Sequence, residues 1–231
     1  MNIESEIISA VIVAALYLLL FGTMELWSRR TSVAREVTRK GVHIGGGFIA
    51  LTLPYLFESH WSVLILGSLL TIALIIARWR SLLPSVQGVE RSTYGEILYP
   101  AAIYLTFLWA MHEQRPLYYI IAILTLALAD GLAGIVGERF KRVTFRVAGG
   151  EKSLGGSATF FAVATAIILI AFDIDGTQTQ LGSIVIALIV AFVATAVEAA
   201  STHGTDNVTV PLATLGMLLA IEAKTIERIV G

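Results

Sequence analysis

The chain has 231 residues, of which 56% are hydrophobic and only 14% are charged, and its mean hydropathy is +0.81. This composition excludes an ordinary soluble domain and indicates an integral membrane protein. The formal net charge of −1 argues against a nucleic-acid partner, and the lack of cysteine excludes disulfides and thiolate metal sites.

Eight apolar segments follow one another along the chain, and all but the last, which is shorter, are close to the ~20 residues that a membrane-spanning helix needs. They are expected at about 7–27, 41–57, 61–77, 95–111, 117–137, 154–172, 181–200 and 208–221. The connections are too short for a separate soluble domain. Residues 1–231 are therefore expected to form a single integral membrane domain, all-α, a polytopic membrane protein with seven or eight transmembrane helices.

The Lys and Arg residues predict the orientation of these helices. All of them except Arg115, Lys224 and Arg228 fall in the loops after the first, third and fifth segments. Because cytoplasmic loops are enriched in Lys and Arg, these loops are expected inside and the N-terminus outside. In a prokaryote this predicts a multi-pass protein of the cell (inner) membrane. The polar candidates gather at the cytoplasmic face, whereas a transporter would place its binding groups near mid-membrane.

Asp130 is the strongest candidate functional residue. It lies about eight residues, or ~12 Å of helix, before the end of the fifth segment, which is too deep for its short side chain to reach bulk water. Acids within a membrane are costly and usually functional, although a buried pairing with an arginine is the alternative. Gly131 and Gly134 are expected to leave space for a ligand. Mg²⁺ is the expected metal, since it binds through one or two carboxylates plus substrate phosphates.

The segment KSLGGS, residues 152–157, is predicted to open the sixth helix. Free backbone N–H groups at a helix start, small residues and a lysine make an anion site, and an ordinary N-cap is the alternative. The segment is not a Walker A loop, because Glu151 stands where the second glycine belongs. The candidate phosphate-binding residues of this segment are Lys152, Ser153, Gly155, Gly156 and Ser157.

Two further groups of polar residues lie near the same predicted face. Arg39, Lys40 and His43 begin the second segment, and Lys40 and His43 share one helix face; they are candidates to neutralise phosphate, although cytoplasmic anchoring also explains the two cations. Glu198 is a candidate second metal ligand with Asp130, or a base for an alcohol, and the alternative is a pairing with a loop arginine. Asp206 and Asn207 are candidate nucleotide-binding residues or the N-cap of the last helix.

These motifs together resemble a known family, the CTP-dependent lipid-alcohol kinases. The family comprises dolichol kinase, phytol and farnesol kinases and the yeast-type diacylglycerol kinase, and it is similar to phosphatidate cytidylyltransferases. The matching pieces are RKGVH at 39–43, ADGLAGIVGERF at 129–140, EKSLGGSATFF at 151–161, and VEAAS with TDNVTVPL between 197 and 212.

The resemblance implies an all-helical membrane enzyme that moves the terminal phosphate of CTP to the hydroxyl of a lipid alcohol. An isoprenoid alcohol such as phytol, farnesol, geranylgeraniol or a polyprenol is favoured over diacylglycerol. Asp130, Lys152 and Glu198 would be catalytic, and the remaining candidates would bind the nucleotide. A cytidylyltransferase making a CDP-lipid and, in another class, a cation-coupled small-solute transporter remain alternatives. A homo-oligomer is also left open.

Overall fold

The computed structural model describes residues 3–83, 94–140, 143–147, 150–176 and 178–230. Its helices are α1 (Ile3–Arg30), α2 (Arg35–Ala50), α3 (Leu53–Leu56), α4 (His60–Trp79), α5 (Gly95–His112), α6 (Pro116–Leu124), α7 (Gly131–Arg139), α8 (Leu154–Asp175), α9 (Gln180–Ala200) and α10 (Asp206–Val230). A π-helical segment, Thr125–Asp130, joins α6 to α7. Strands β1 (Thr144–Val147) and β2 (Gly150–Ser153) form an antiparallel hairpin before α8.

The expectation of an all-α membrane protein is confirmed. Five helices among the described residues are long and apolar enough to cross a membrane: α1, α4, the continuous helix 116–139, α8 and α9. The count of seven or eight spans and the outward N-terminus stay predictions. The hairpin was expected as an irregular basic loop, and it pairs Phe145 with Lys152 and Arg146 with Glu151.

The predicted span at 41–57 has different bounds in the structure. Its helix begins earlier, at Arg35, and ends at Ala50, and a short helix containing Pro54 follows. Proline has no N–H, so Pro54 cannot bond to the carbonyl of Ala50 four residues before it. Tyr119 donates its hydroxyl to that carbonyl instead, at 2.9 Å. Helix α2 therefore ends at Ala50, where Pro54 cannot supply the regular hydrogen bond and Tyr119 supplies another.

Helix α2 is fixed by tyrosines from three other helices. In addition to Tyr119 from α6, Tyr17 of α1 donates to the carbonyl of Gly46 at 3.0 Å, and Tyr99 of α5 donates to the carbonyl of His43 at 2.8 Å. The three helices thus determine where α2 presents its polar side chains. Elsewhere the core forms where α8 packs on α7 and α9, α9 on α10, and α4 on α5.

Three residues of the predicted basic loops, Arg91, Lys141 and Arg142, lie outside the described residues. The side chain of Arg228, near the end of α10, also lies outside them.

Candidate active site

Asp130 lies at the end of the π-helical segment, in the helix 116–139. Its side chain is buried. A π-helical turn is rare and frequently marks a functional site, because it breaks the regular pairing of backbone groups. Here the carbonyl of Leu126, inside the segment, accepts a hydrogen bond from Nε2 of His43 at 2.9 Å. The local winding thus exposes a backbone acceptor beside the carboxylate.

The basic face of α2 meets Asp130 directly. Nζ of Lys40 lies 3.0 Å from Oδ2 of Asp130 and 3.4 Å from its backbone oxygen. Nε2 of His43 lies 3.4 Å from the same Oδ2. Because Nε2 donates its hydrogen to the carbonyl of Leu126 at 2.9 Å, its contact with Oδ2 is the longer of the two. Arg39 lines the same cavity but pairs with Glu36, one helical turn away.

The two glycines beside Asp130 differ in their surroundings. Gly134 lines the cavity, and Gly131 does not. A Cβ at Gly134 would lie 2.5 Å from Cε of Lys40, and a Cβ at Gly131 would lie 2.7 Å from Ile44. Lys40 therefore reaches Asp130 only because residue 134 has no side chain, so Gly134 is part of how the ion pair is built.

The hairpin places Lys152 beside a second buried acid, Glu198. Lys152, in β2, forms an ion pair with Glu198 near the end of α9. Within the described part of the chain, Glu198 thus pairs with this lysine and not with a loop arginine. The other carboxylate oxygen of Glu198 is buried and has no hydrogen-bond partner among the described residues. An unpaired buried acceptor is costly, which favours a ligand at this position.

The segment KSLGGS begins α8, and its members divide between two roles. Ser153 is the N-cap, since its hydroxyl accepts from the N–H of Gly156 at 3.0 Å. Ser153, Gly156 and Ser157 line the cavity, and the buried hydroxyl of Ser157 has no partner among the described residues. Gly155 is not among the residues that line the cavity, and a Cβ at this position would lie 3.7 Å from Phe140.

Asp206 and Asn207 begin α10 on the opposite side of the cavity. The side-chain amide of Asn207 donates to the carbonyl of Gly95 at 2.8 Å, which ties α10 to α5. Asp206 lies against the other acids, and burial together with the nearby Asp130 carboxylate raises its pKa above the ordinary range. Both residues line the cavity.

Three carboxylates converge at this point. One oxygen from each of Asp130, Glu198 and Asp206 can be chosen so that all three lie within 4.8 Å of one another. Oxygen donors at such spacing suit a hard cation such as Mg²⁺. The sequence predicted Asp130 and Glu198 as ligands and missed Asp206 in that role, since a residue at a helix start has an ordinary structural explanation.

One cavity of about 1300 Å³ contains all of these groups. Its polar end is lined by the three acids, by Lys40, His43 and Lys152, and by the hairpin, and its other end is apolar. The hairpin residues Thr144, Arg146 and Glu151 were not singled out by the sequence, because a loop rich in charge has no periodic signal. Small-molecule sites are usually about 300–1,000 Å³, so this cavity has room for more than one substrate.

Comparison with known proteins identifies the family. No protein-family model and no solved structure matches the chain. Phytol kinase from Synechocystis sp. is 34% identical to it over 192 residues, which are 82% of this chain and 81% of that protein. The chain therefore belongs to the lipid-alcohol kinase family, and it is a membrane enzyme that transfers a phosphate to an alcohol group.

Proposed function

We propose that the chain is a kinase that uses CTP and Mg²⁺ to phosphorylate an isoprenoid alcohol at the cytoplasmic face of the membrane. The observation that carries this proposal is the convergence of Asp130, Glu198 and Asp206 with two lysines at the polar end of one half-apolar cavity. Phosphoryl transfer depends chiefly on positioning and on charge neutralisation. Carboxylates for a metal and cations for phosphate are the groups that this reaction needs.

The residues present fit a magnesium ion. Asp130, Glu198 and Asp206 would hold it, and Glu198 offers a buried oxygen without another partner. When bound, the ion would neutralise charge on the phosphates and draw the nucleotide to the acids. Lys40 and Lys152 already lie against two of these acids and are close enough to bind the phosphates that arrive there.

The transfer itself forms one bond and breaks one. The alcohol oxygen attacks the terminal phosphorus of CTP, the bond from that phosphorus to the bridging oxygen breaks, and CDP leaves. The proton of the alcohol passes to a carboxylate at the polar end of the cavity. The relative from Synechocystis is a phytol kinase, which supports an isoprenoid acceptor here, and CTP rests on the family resemblance.

The first test is direct. Purified protein is incubated with CTP or ATP, labelled at the terminal phosphate, and with phytol, farnesol, geranylgeraniol, a polyprenol or diacylglycerol. We expect a labelled isoprenoid phosphate from CTP. Asp130→Asn should lower the rate roughly 10³-fold, and the matched control, Asp173→Asn at the exposed end of α8, should not. No labelled lipid with any alcohol, or full activity in Asp130→Asn, would refute the proposal.

Products and sidedness test its remaining parts. A kinase releases CDP, whereas a cytidylyltransferase given a lipid phosphate would release pyrophosphate. CTP does not cross a sealed membrane, so only inside-out vesicles should phosphorylate the alcohol without detergent. Equal activity in right-side-out vesicles would contradict the cytoplasmic placement, and cation-coupled solute uptake would favour a transporter.

A further inference from the structure

The active-site cavity continues from its acids into an apolar arm between α1, α4 and α5. Its lining changes in the same order on all three helices, from the polar end into the bundle: Phe21 then Tyr17 on α1, Leu74 then Leu70 on α4, and Gly95 then Pro100 on α5. Because the lining residues follow the same order on all three helices, the arm runs along the helix axes and not across them. It therefore leads away from the charged groups into the part of the bundle that the membrane surrounds.

A second, small cavity of about 20 Å³ lies beyond the deep end of this arm. Its lining includes Val13, Val63 and Ile103, which are buried. Both cavities are lined by Tyr17, Leu70 and Pro100, which stand between them. These three residues thus form the floor of the arm, and the apolar stripe of α4 continues past them.

The length of the stripe matches one leaflet. From Leu74 to Val63, α4 advances ~16 Å at ~1.5 Å per residue. That is about half of the ~30 Å hydrocarbon core of a bilayer. A lipid whose hydroxyl lies at the acids would point its tail along this stripe, parallel to the lipids around the protein, and the floor residues would limit how far along the stripe the tail extends.

The packing of the helices favours arrival of such a lipid from the side. Helix α1 packs chiefly against α2, and α4 packs chiefly against α5, so the arm lies between two helix pairs that touch each other less. An apolar tail can pass between them without crossing a polar surface. The hairpin, by contrast, lines the polar end of the cavity.

We propose that the apolar arm holds the hydrocarbon tail of the acceptor alcohol, and that Leu70, at its floor, limits the length of that tail. This inference rests on the proposed function and adds the acceptor subsite to it. Among the floor residues, Tyr17 is held by its bond to Gly46 and Pro100 shapes the backbone of α5. Leu70 is the floor side chain that contributes only bulk, so it is the residue to change.

The test compares chain lengths at a fixed headgroup. Farnesol, geranylgeraniol and a polyprenol share the hydroxyl and differ in tail length. Leu70→Trp should lower kcat/KM for the two longer alcohols relative to farnesol by about tenfold or more, and Leu70→Ala should raise the same ratio. The KM for CTP should not change. Leu69, adjacent on α4 and 60% exposed, gives the matched controls Leu69→Trp and Leu69→Ala, which should leave the ratio unchanged.

The outcomes separate this inference from the proposed function. If the wild type phosphorylates none of the alcohols, the kinase proposal fails. If the variants phosphorylate farnesol but keep the wild-type preference for chain length, or if the Leu69 and Leu70 variants behave alike, the tail subsite is wrong and the kinase stands. A Leu70→Trp protein that does not fold leaves Leu70→Ala, which predicts the opposite shift, to decide.

Photocrosslinking gives a readout that needs no phosphoryl transfer. A geranylgeraniol analogue with a diazirine at the end of its tail is bound to wild-type protein without nucleotide and irradiated. We expect labelled residues on the facing sides of α1, α4 and α5, with the label at least halved by excess geranylgeraniol and by Leu70→Trp. Label spread over the outer surface of the helices and insensitive to competitor would overturn the proposal.

Discussion

Two buried glutamates at opposite ends of the bundle show what makes an acid functional in this protein. Glu6 is 7% exposed and Glu198 is 6% exposed. Glu6 accepts the backbone N–H groups of Glu58 at 3.0 Å and Ser59 at 2.9 Å, just before α4 begins. Glu198 instead meets Lys152 and two further carboxylates. Each glutamate also has one buried oxygen without a hydrogen-bond partner among the described residues. Burial therefore does not separate the two acids, but their neighbours do: Glu6 joins helices through backbone N–H groups, and Glu198 lies among charged side chains.

The most direct test of this difference is to replace each glutamate with its neutral amide, glutamine. Glu198→Gln should lower kcat/KM by roughly 10²–10³-fold, because it removes a charge from the cluster that faces the reacting phosphates. Glu6→Gln should keep full activity, since the amide oxygen still accepts the two backbone N–H groups. Both rates are measured with CTP and the best alcohol. Equal losses in the two variants would mean that burial alone explains the effect.

Lys152, which forms the ion pair with Glu198, gives a second test of the role of this acid. Lys152→Met should raise the KM for CTP and reduce kcat/KM by about 10²-fold, because a phosphate-binding cation is lost. It should also lower the free energy of unfolding by about 1–3 kcal/mol, because Glu198 loses its partner. Thermal unfolding in detergent measures the second effect.

The double variant Lys152→Met with Glu198→Gln separates these two effects. It should recover much of the lost stability and none of the lost activity. Recovery of activity in the double variant would mean that the ion pair is structural, as Glu6 is.

Gly134 tests whether the fit of Lys40 against Asp130 matters. Gly134→Ala puts a methyl group 2.5 Å from Cε of Lys40, so the lysine must shift away from Asp130. We expect about a tenfold loss of kcat/KM with a correctly folded protein. The control is Gly22→Ala in α1, where a Cβ would meet nothing within 4 Å. If both variants are fully active, the position of Lys40 is not part of catalysis.

The smallest effect is expected at the end of the bundle where Glu6 lies. Arg115 donates to both carboxylate oxygens of Glu222 at 2.8 Å, but its side chain is 41% exposed. Exposed ion pairs contribute about 0–1 kcal/mol. Arg115→Gln should therefore change the free energy of unfolding by less than about 1 kcal/mol and leave turnover unchanged. A large loss of turnover would show that the two ends are coupled.

The sequence predicted much of the site because its rarest residues are charges within apolar helices. Asp130, Glu198 and Lys152 stand out against their neighbours, and the ordered motifs indicated the family. The pairing of Lys40 with Asp130 was not predictable, because it depends on α2 being set by tyrosines of three other helices and on space at Gly134. Local sequence has no information on such tertiary distances.

Local geometry was the part of the fold that the sequence did not predict. The hairpin has only four residues on each side. Strand β1 alternates polar and apolar residues over too short a stretch to stand out, and β2 has no apolar side chain to reveal a strand. The end of α2 at Ala50 depends on Pro54 and on the hydrogen bond from Tyr119 to the carbonyl of Ala50. Tyr119 and Ala50 meet only in the folded protein, so the sequence alone did not predict where this helix ends. Helices long enough to span a membrane were predictable, because each satisfies its own backbone groups.

The π-helical segment Thr125–Asp130 has a consequence for chain length. Such a segment is equivalent to one extra residue wound into an α-helix. Deleting a single residue there would restore an α-helix with 3.6 residues per turn, and the residues after it would keep their places. In a regular α-helix the carbonyl of Leu126 would accept a hydrogen bond from within the helix, and His43 would lose the acceptor that it has now. The extra residue therefore leaves one backbone oxygen free to face the active site, and a one-residue deletion would withdraw that oxygen without replacing any charged side chain of the cluster.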